Sequence, residues 1–125
     1  MCRVFGQGTG KYVLKTSFGY KKLYFHNIEC VEAQNKKVVF HLNDGTSVEA
    51  AEPLYHFENK MTIENGFFKC HRSYLVYMKN VDRFSGTEII TKSGRRVPIA
   101  RGAGRAFKEA YFAVMFEESE AGLCC

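Results

Sequence analysis

The residues with the most chemistry per position are Cys70, His71 and Arg72, adjacent in the run FFKCHRSYLVYM at 67–78. A cysteine beside a histidine first suggests a nucleophile and its base. The spacing argues against that pair, because neighbours on a strand point to opposite faces. No Asp or Asn stands where it would orient His71. Metal binding fares no better. The histidines fall at 26, 41, 56 and 71 and the cysteines at 2, 30, 70, 124 and 125, and no His/Cys pair has the short spacing of a structural zinc site. The even spacing of the histidines is not a repeat, since the segments between them share little beyond VEA at 31–33 and 48–50. No catalytic constellation, metal or cofactor is expected, and the chain does not read as an enzyme.

Arg72 raises a different question. Phe68, Cys70, Tyr74, Val76 and Met78 share one strand parity, and on an unbroken strand Arg72 would join them in the core. Burying an arginine without a partner is expensive. One resolution is a carboxylate partner such as Glu64 or Glu88. The simpler one is a break at residues 71–73, which makes two apolar pieces joined by a polar bend and lifts His71 and Arg72 to the surface. An arginine on a rigid bend suits bidentate recognition of a base edge or a phosphate.

The charge distribution points the same way. Net charge is +5, but residues 60–108 hold eleven Lys/Arg against three Asp/Glu. Residues 1–59 are nearly balanced, and 109–125 hold four acids and no base. A local excess of +8 in a chain of ordinary charge content suits a polyanion partner. Besides Arg72, Lys36 and Lys37 lie in a turn before a strand, and Arg101 and Arg105 lie where the last strand gives way to the last helix. The three basic tips match an extended polyanion footprint.

The elements that must carry these tips are mostly strands. Residues 11–17 and 22–33 read as strand segments. Residues 36–42 and 46–51 read as a hairpin across Asn43-Asp44-Gly45. Pro53 starts a short amphipathic helix with Leu54, Phe57 and Met61 on one face. Residues 87–93 and 95–100 are two further strands, the second an edge because Pro98 cannot donate to a ladder. A C-terminal helix places Phe107, Tyr111, Val114 and Met115 on one face. The expectation is one mostly β domain over 1–125, with a core at about 12–112 and loose ends at 1–10 and 117–125. No apolar run reaches the ~18 residues of a membrane span, and 1–10 lacks the apolar core of a signal peptide. A cytoplasmic protein with free thiols is expected.

The blocks FFKCHRSYLV, VDRF and SGRRVPIAR, with LYFHNIECVEAQNKKVVFHLNDG upstream, resemble the LytTR DNA-binding domain of bacterial transcription regulators over residues 12–112. The resemblance implies an elongated fold of antiparallel strands in small sheets with one or two short helices. It implies sequence-specific binding of double-stranded DNA, with loops rather than a recognition helix entering successive major grooves, and transcription regulation as in a response regulator. Carried over by position, the base-reading loops fall on Asn35, Lys36 and Lys37, on Arg72 and on Arg101; His71 and Ser73 belong to the block itself, and Arg105 of the third basic tip completes the expected DNA-binding set. His71 would orient the bend or touch the backbone. Two domains on a promoter direct repeat, as a dimer on DNA, are implied as well. Cys70 falls where some members carry a redox-sensitive cysteine, and a buried inert thiol is the other reading. Tyr77 and Ala100 depart from the family pattern, which has Asn and Ser there. The competing reading is a non-catalytic module whose basic face docks an acidic protein, or a thiol redox sensor.

Overall fold

The structure is a computed structural model that describes residues 10–16 and 18–124, with side chains through Phe116. The ends expected to be loose lie outside those residues, except Gly10 and the helical backbone to Cys124. Strands β1 (Lys11–Thr16) and β2 (Gly19–Tyr24) form a hairpin. A 3-10 turn at Phe25–Asn27 leads into β3 (Ile28–Gln34), β4 (Lys37–Leu42) and β5 (Ser47–Ala50). The short helix α1 (Leu54–Glu58) and a 3-10 turn at Ile63–Asn65 precede β6 (Phe67–His71) and β7 (Tyr74–Tyr77). Another 3-10 turn, Met78–Asn80, opens β8 (Val81–Phe84), β9 (Glu88–Thr91) and β10 (Arg96–Pro98), and the chain closes on α2 (Gly104–Cys124).

The five-stranded sheet, in the order β5-β4-β3-β7-β6, is the middle layer. Because side chains alternate along a strand, it feeds two cores. Val31, Phe40, Phe67, Leu75 and Tyr77 face one side, with Leu14, Leu23, Leu54 and Phe57 from β1, β2 and α1. Cys30, Cys70, Val76 and Met78 face the other, with Ile89, Val97 and Phe107 from β9, β10 and α2. A strand covered on both sides reads as a continuous apolar run, which explains why 67–78 looked so core-like. Phe68 and Tyr74 pack against the second cluster too, so the parity face read from the sequence is real.

The run is also broken where expected. β6 and β7 pair antiparallel, Phe67 with Tyr77 and His71 with Tyr74, with a bulge between Phe68 and His71. Arg72 and Ser73 form the turn, and Arg72 is exposed. The expected β4–β5 hairpin is present. Gly45 adopts φ 92°, and the Asp44 carboxylate accepts from Thr46 N at 2.9 Å and Thr46 Oγ1 at 2.6 Å. Pro98 lies on β10, at the edge of the sheet β10-β9-β8. Other boundaries differ. Residues 22–33 are two strands, not one run, because the chain turns at Phe25–Asn27. β8 had no clear pattern of its own. Pro53 takes the N-cap of α1 with an extended backbone instead of its first helical position.

Two buried polar side chains tie the layers together. Asn80 donates to the carbonyls of His26 and Ile28, both at 2.8 Å, and so clamps two of the 3-10 turns. Glu29 on β3 is fully buried. Its carboxylate accepts from Thr91 Oγ1 at 2.9 Å, Ser93 N at 3.0 Å and Ser93 Oγ at 2.7 Å, joining the middle sheet to the turn after β9. Replacing Glu29 with alanine strands those donors in the interior. Glu29→Ala is expected to lower the unfolding free energy by about 3 kcal/mol. Urea unfolding followed by circular dichroism checks this, as a lower midpoint at unchanged slope.

Candidate nucleic-acid interface

The strand directions decide where the three basic tips lie. β3 runs antiparallel to both neighbours, pairing Glu32 with Val39 on β4 and Glu32 with Tyr74 on β7. The β3–β4 turn and the β6–β7 turn therefore emerge at the same end of the sheet. The backbone confirms their closeness, since Ala33 N donates to Ser73 O at 2.7 Å. On the far side of β6, Ala100 N donates to Cys70 O at 2.8 Å, which brings Arg101 to that end as well. Strands lie about 4.8 Å apart, so the first two tips are separated by about 10 Å and Arg101 lies about 7 Å further on.

At the first tip, Asn35 and Lys36 form the turn, closed by the pair Gln34 and Lys37. Asn35 adopts φ 23°, a conformation that Asn tolerates because its short side chain can bond locally. Asn35, Lys36 and Lys37 are exposed, but Lys37 Nζ pairs with Glu49 at 2.9 Å. Lys36 has no carboxylate partner among the described residues.

At the second tip, Arg72 projects from a turn set by His71. The His71 Nδ1 accepts a hydrogen bond from Ser73 N at 3.1 Å, and its ring meets Tyr74 edge-on at 5.7 Å. His71 and Ser73 are half-buried. Neither Glu64 nor Glu88 pairs with Arg72; Glu88 lies 3.9 Å from Arg96.

At the third tip, Arg101 is exposed and Gly102 adopts φ 86°. Gly104 starts α2 against Gly86, where an added Cβ would meet the Gly86 carbonyl oxygen at 2.7 Å. Arg105 stands in the first turn of α2, with Glu109 at 3.5 Å. That exposed pair contributes little. A cation in a first turn opposes the helix dipole by about 0.5 kcal/mol, and a bound phosphate would cancel that.

The basic excess of residues 60–108 is not a single face. Lys69 pairs with Glu58 at 2.8 Å and Arg83 with Asp82 at 2.8 Å. The β9–β10 turn carries Lys92 and Arg95, Arg96 opens β10, and Ser93 in the turn bonds Glu29 near the start of β3, away from the three tips. What distinguishes the tips is cations without strong partners on one end of a rigid sheet.

Beneath the first two tips lies a network that local sequence does not flag. Glu32 accepts from Tyr74 Oη at 3.0 Å and contacts His41 Nε2 at 2.9 Å. Burial pushes the Glu32 carboxyl up, but hydrogen bonds from His41, Gln34 and Tyr74 outweigh it and hold it below its ordinary range. Burial, then Glu32, pushes the Tyr74 hydroxyl up to about 12. Only the fold makes these partners neighbours. The RGAGR segment around Gly104 is the one local signal of a tight approach.

Cys70 is fully buried on the second core, with its thiol 3.5 Å from Pro98 O. Burial pushes the thiols of Cys70 and Cys30 up to about 12. The thiolate that would attack an oxidant is therefore disfavoured at neutral pH. Among the described residues, no three His, Cys, Asp or Glu side chains could hold a metal together, and no helix is long and apolar enough to cross a membrane.

These features define a β scaffold presenting three cationic tips at one end. The model of the LytTr DNA-binding domain matches residues 19–112. The chain belongs to the LytTr DNA-binding domain family, and is therefore a DNA-binding domain. Its fold is similar to that of a solved LytTr DNA-binding domain from Bacillus cereus. The TM-score is 0.67 at 23% identity, over 82% of this chain and 97% of that one. No curated protein matches the chain.

The thiols carry a pH prediction. Each folded-state value of about 12 lies above the ordinary 9.0, so their contribution to stability is complete below pH 9 and is lost as the pH rises toward 12. Circular dichroism melts between pH 8 and 11 are expected to show a falling midpoint. In the native protein at pH 7.5, iodoacetamide is expected to leave Cys30 and Cys70 unmodified and to label both in guanidinium, as read by peptide mass mapping.

Proposed function

We propose that this chain is a sequence-specific regulator of transcription that binds double-stranded DNA through its three turns. The single observation that carries the reading is that the β3–β4 turn, the β6–β7 turn and Arg101 emerge side by side at one end of a rigid sheet. Residues 12–112 act as the core of one DNA-binding unit in a cytoplasmic bacterial protein, without catalysis.

The spacing of the tips constrains how they meet the duplex. Successive major grooves on one side of DNA are one turn, about 34 Å, apart. The row of tips spans only about 17 Å. It therefore straddles one minor groove, about 6 Å wide, and reaches the near edges of the major grooves on either side. The outer tips suit that placement. Asn35 and Arg101 are side chains that pair bidentately with adenine and guanine edges, and those edges are distinguishable in the major groove. The middle tip offers Arg72, whose cation suits the strong negative potential of a narrow minor groove. Lys36 and Arg105 contact phosphates. Lys37 contributes less, because Glu49 already holds it. His71 and Ser73 fix the shape of the middle turn. One such footprint reads few base pairs, so two copies on a promoter direct repeat would supply full specificity.

Selection from a random duplex pool, followed by fluorescence anisotropy on selected and scrambled duplexes, tests the reading. Selected duplex is expected to bind at least about 100-fold tighter at near-physiological salt. Equal affinity for both would overturn sequence-specific regulation. Arg72→Ala is expected to relax preference at the central base pairs alone. Lys36→Ala should weaken all sequences alike and reduce the log–log salt slope by about 0.9.

A further inference from the structure

The reading turns need something to hold them in a fixed relation. The two turns join four strands, β3 to β4 and β6 to β7, and a hairpin turn beyond its last ladder pair is free to sway unless side chains brace it. One carboxylate links three of those strands, β4, β3 and β7. Glu32 lies on β3, two residues before Gln34 and directly opposite Tyr74. Its Oε2 accepts from Tyr74 Oη on β7, and its Oε1 contacts His41 Nε2 on β4. Gln34, at the base of the first turn, also hydrogen-bonds the same carboxylate.

The brace continues outward to the middle tip. Tyr74 packs edge-on against His71, and His71 Nδ1 accepts the Ser73 N–H that shapes the turn carrying Arg72. A continuous path thus runs from Gln34 through Glu32 and Tyr74 to His71 and Ser73. His41 completes it with a sign of constraint. The His41 side chain is 10% exposed, and its Nδ1 has no hydrogen-bond partner. An unsatisfied buried ring nitrogen costs stability. A histidine fixed that way for its Nε2 contact alone fits a role in orienting Glu32 better than a role in packing.

We propose that Glu32, held between His41 and Tyr74, is a positioning residue that sets the relative aim of the Asn35-Lys36 turn and the Arg72 turn, and so sets sequence discrimination without touching DNA. The inference rests on the DNA-reading role given above to those turns. It requires that breaking the brace degrade discrimination while leaving the count of phosphate contacts unchanged.

The test uses the full chain and two variants, Tyr74→Phe and Glu32→Gln. The first removes one hydroxyl and keeps the ring against His71. The second keeps the shape and removes the charge. Anisotropy with a duplex recovered by selection and with its scrambled counterpart gives two affinities for each protein. Their ratio is insensitive to the folded fraction, so a merely structural role would not move it. Each variant is expected to lose about tenfold in the ratio, to keep its scrambled-duplex affinity within about twofold, and to keep the salt slope of the unaltered chain. Arg83→Ala, which removes a cation paired to Asp82 on β8 and touches neither the brace nor the tips, is expected to keep the ratio. If the unaltered chain discriminates and both variants keep its ratio, the positioning role is overturned and the DNA-reading role stands. If the unaltered chain binds both duplexes equally, both fall together.

Discussion

The structure depends on one arrangement: β3 is antiparallel to both of its neighbours and covered on both faces. Antiparallel pairing on each side sends the β3–β4 and β6–β7 turns out at the same end. Covering both faces fixes the register, because a slip of one residue would exchange the two cores. Val31 would then leave the cluster around Phe40 and Phe57, and Cys30 would leave the one around Ile89 and Phe107. The place of the turns is therefore as firmly set as the two cores.

The polar groups inside the fold divide by depth along β3. Near the start of the strand, Glu29 is fully buried and bonds Thr91 at the end of β9 and Ser93 in the turn after it. It joins layers at the end of β3 away from the basic turns. Three residues on, Glu32 keeps partial exposure and bonds sideways to both neighbouring strands. Two carboxylates on one strand thus have unlike roles, because one lies deep beside the β9 layer and the other lies near the turns. The cations divide similarly. Lys37, Lys69 and Arg83 are held by acids at 2.8 to 2.9 Å, whereas Lys36, Arg72 and Arg101 have none among the described residues.

Much of this was legible in the sequence where the signal was local. Asp44-Gly45 marked a hairpin because φ > 0 is needed there. The shared parity of Phe68, Cys70, Tyr74, Val76 and Met78, with Arg72 as its sole charge, marked the break at 71–73. What was not legible depends on distant partners. Nothing near Glu29 reveals that Thr91 and Ser93 lie more than sixty positions away. The turn at Phe25–Asn27 was hidden because Phe25 and Ile28 stay apolar through it, so residues 22–33 looked like one run. The charge count over 60–108 could not tell free cations from paired ones such as Lys69 and Arg83, since pairing is settled by the fold. Glu32, His41 and Tyr74 look like ordinary members of three strands until the register makes them neighbours.

A site built on turns instead of a helix must take its rigidity from elsewhere in the fold. A recognition helix carries its own backbone hydrogen bonds and presents side chains at fixed offsets. A two-residue turn has no such internal support, and each residue beyond the last ladder pair adds freedom that binding would have to remove. The fold supplies the missing rigidity in two ways. The backbone contributes Ala33 N to Ser73 O and Ala100 N to Cys70 O, which tie the three tips to one another at their bases. Side chains contribute the path from Gln34 through Glu32 and Tyr74 to His71. The Cys70 thiol fits the same logic. Its residue lends a carbonyl to the tie with Ala100 while its side chain fills the second core, so the triplet Cys-His-Arg runs outward from a buried thiol through a half-buried ring to an exposed guanidinium. A polar triplet in an apolar run is what a turn needs when one end is to be buried and the other is to reach solvent.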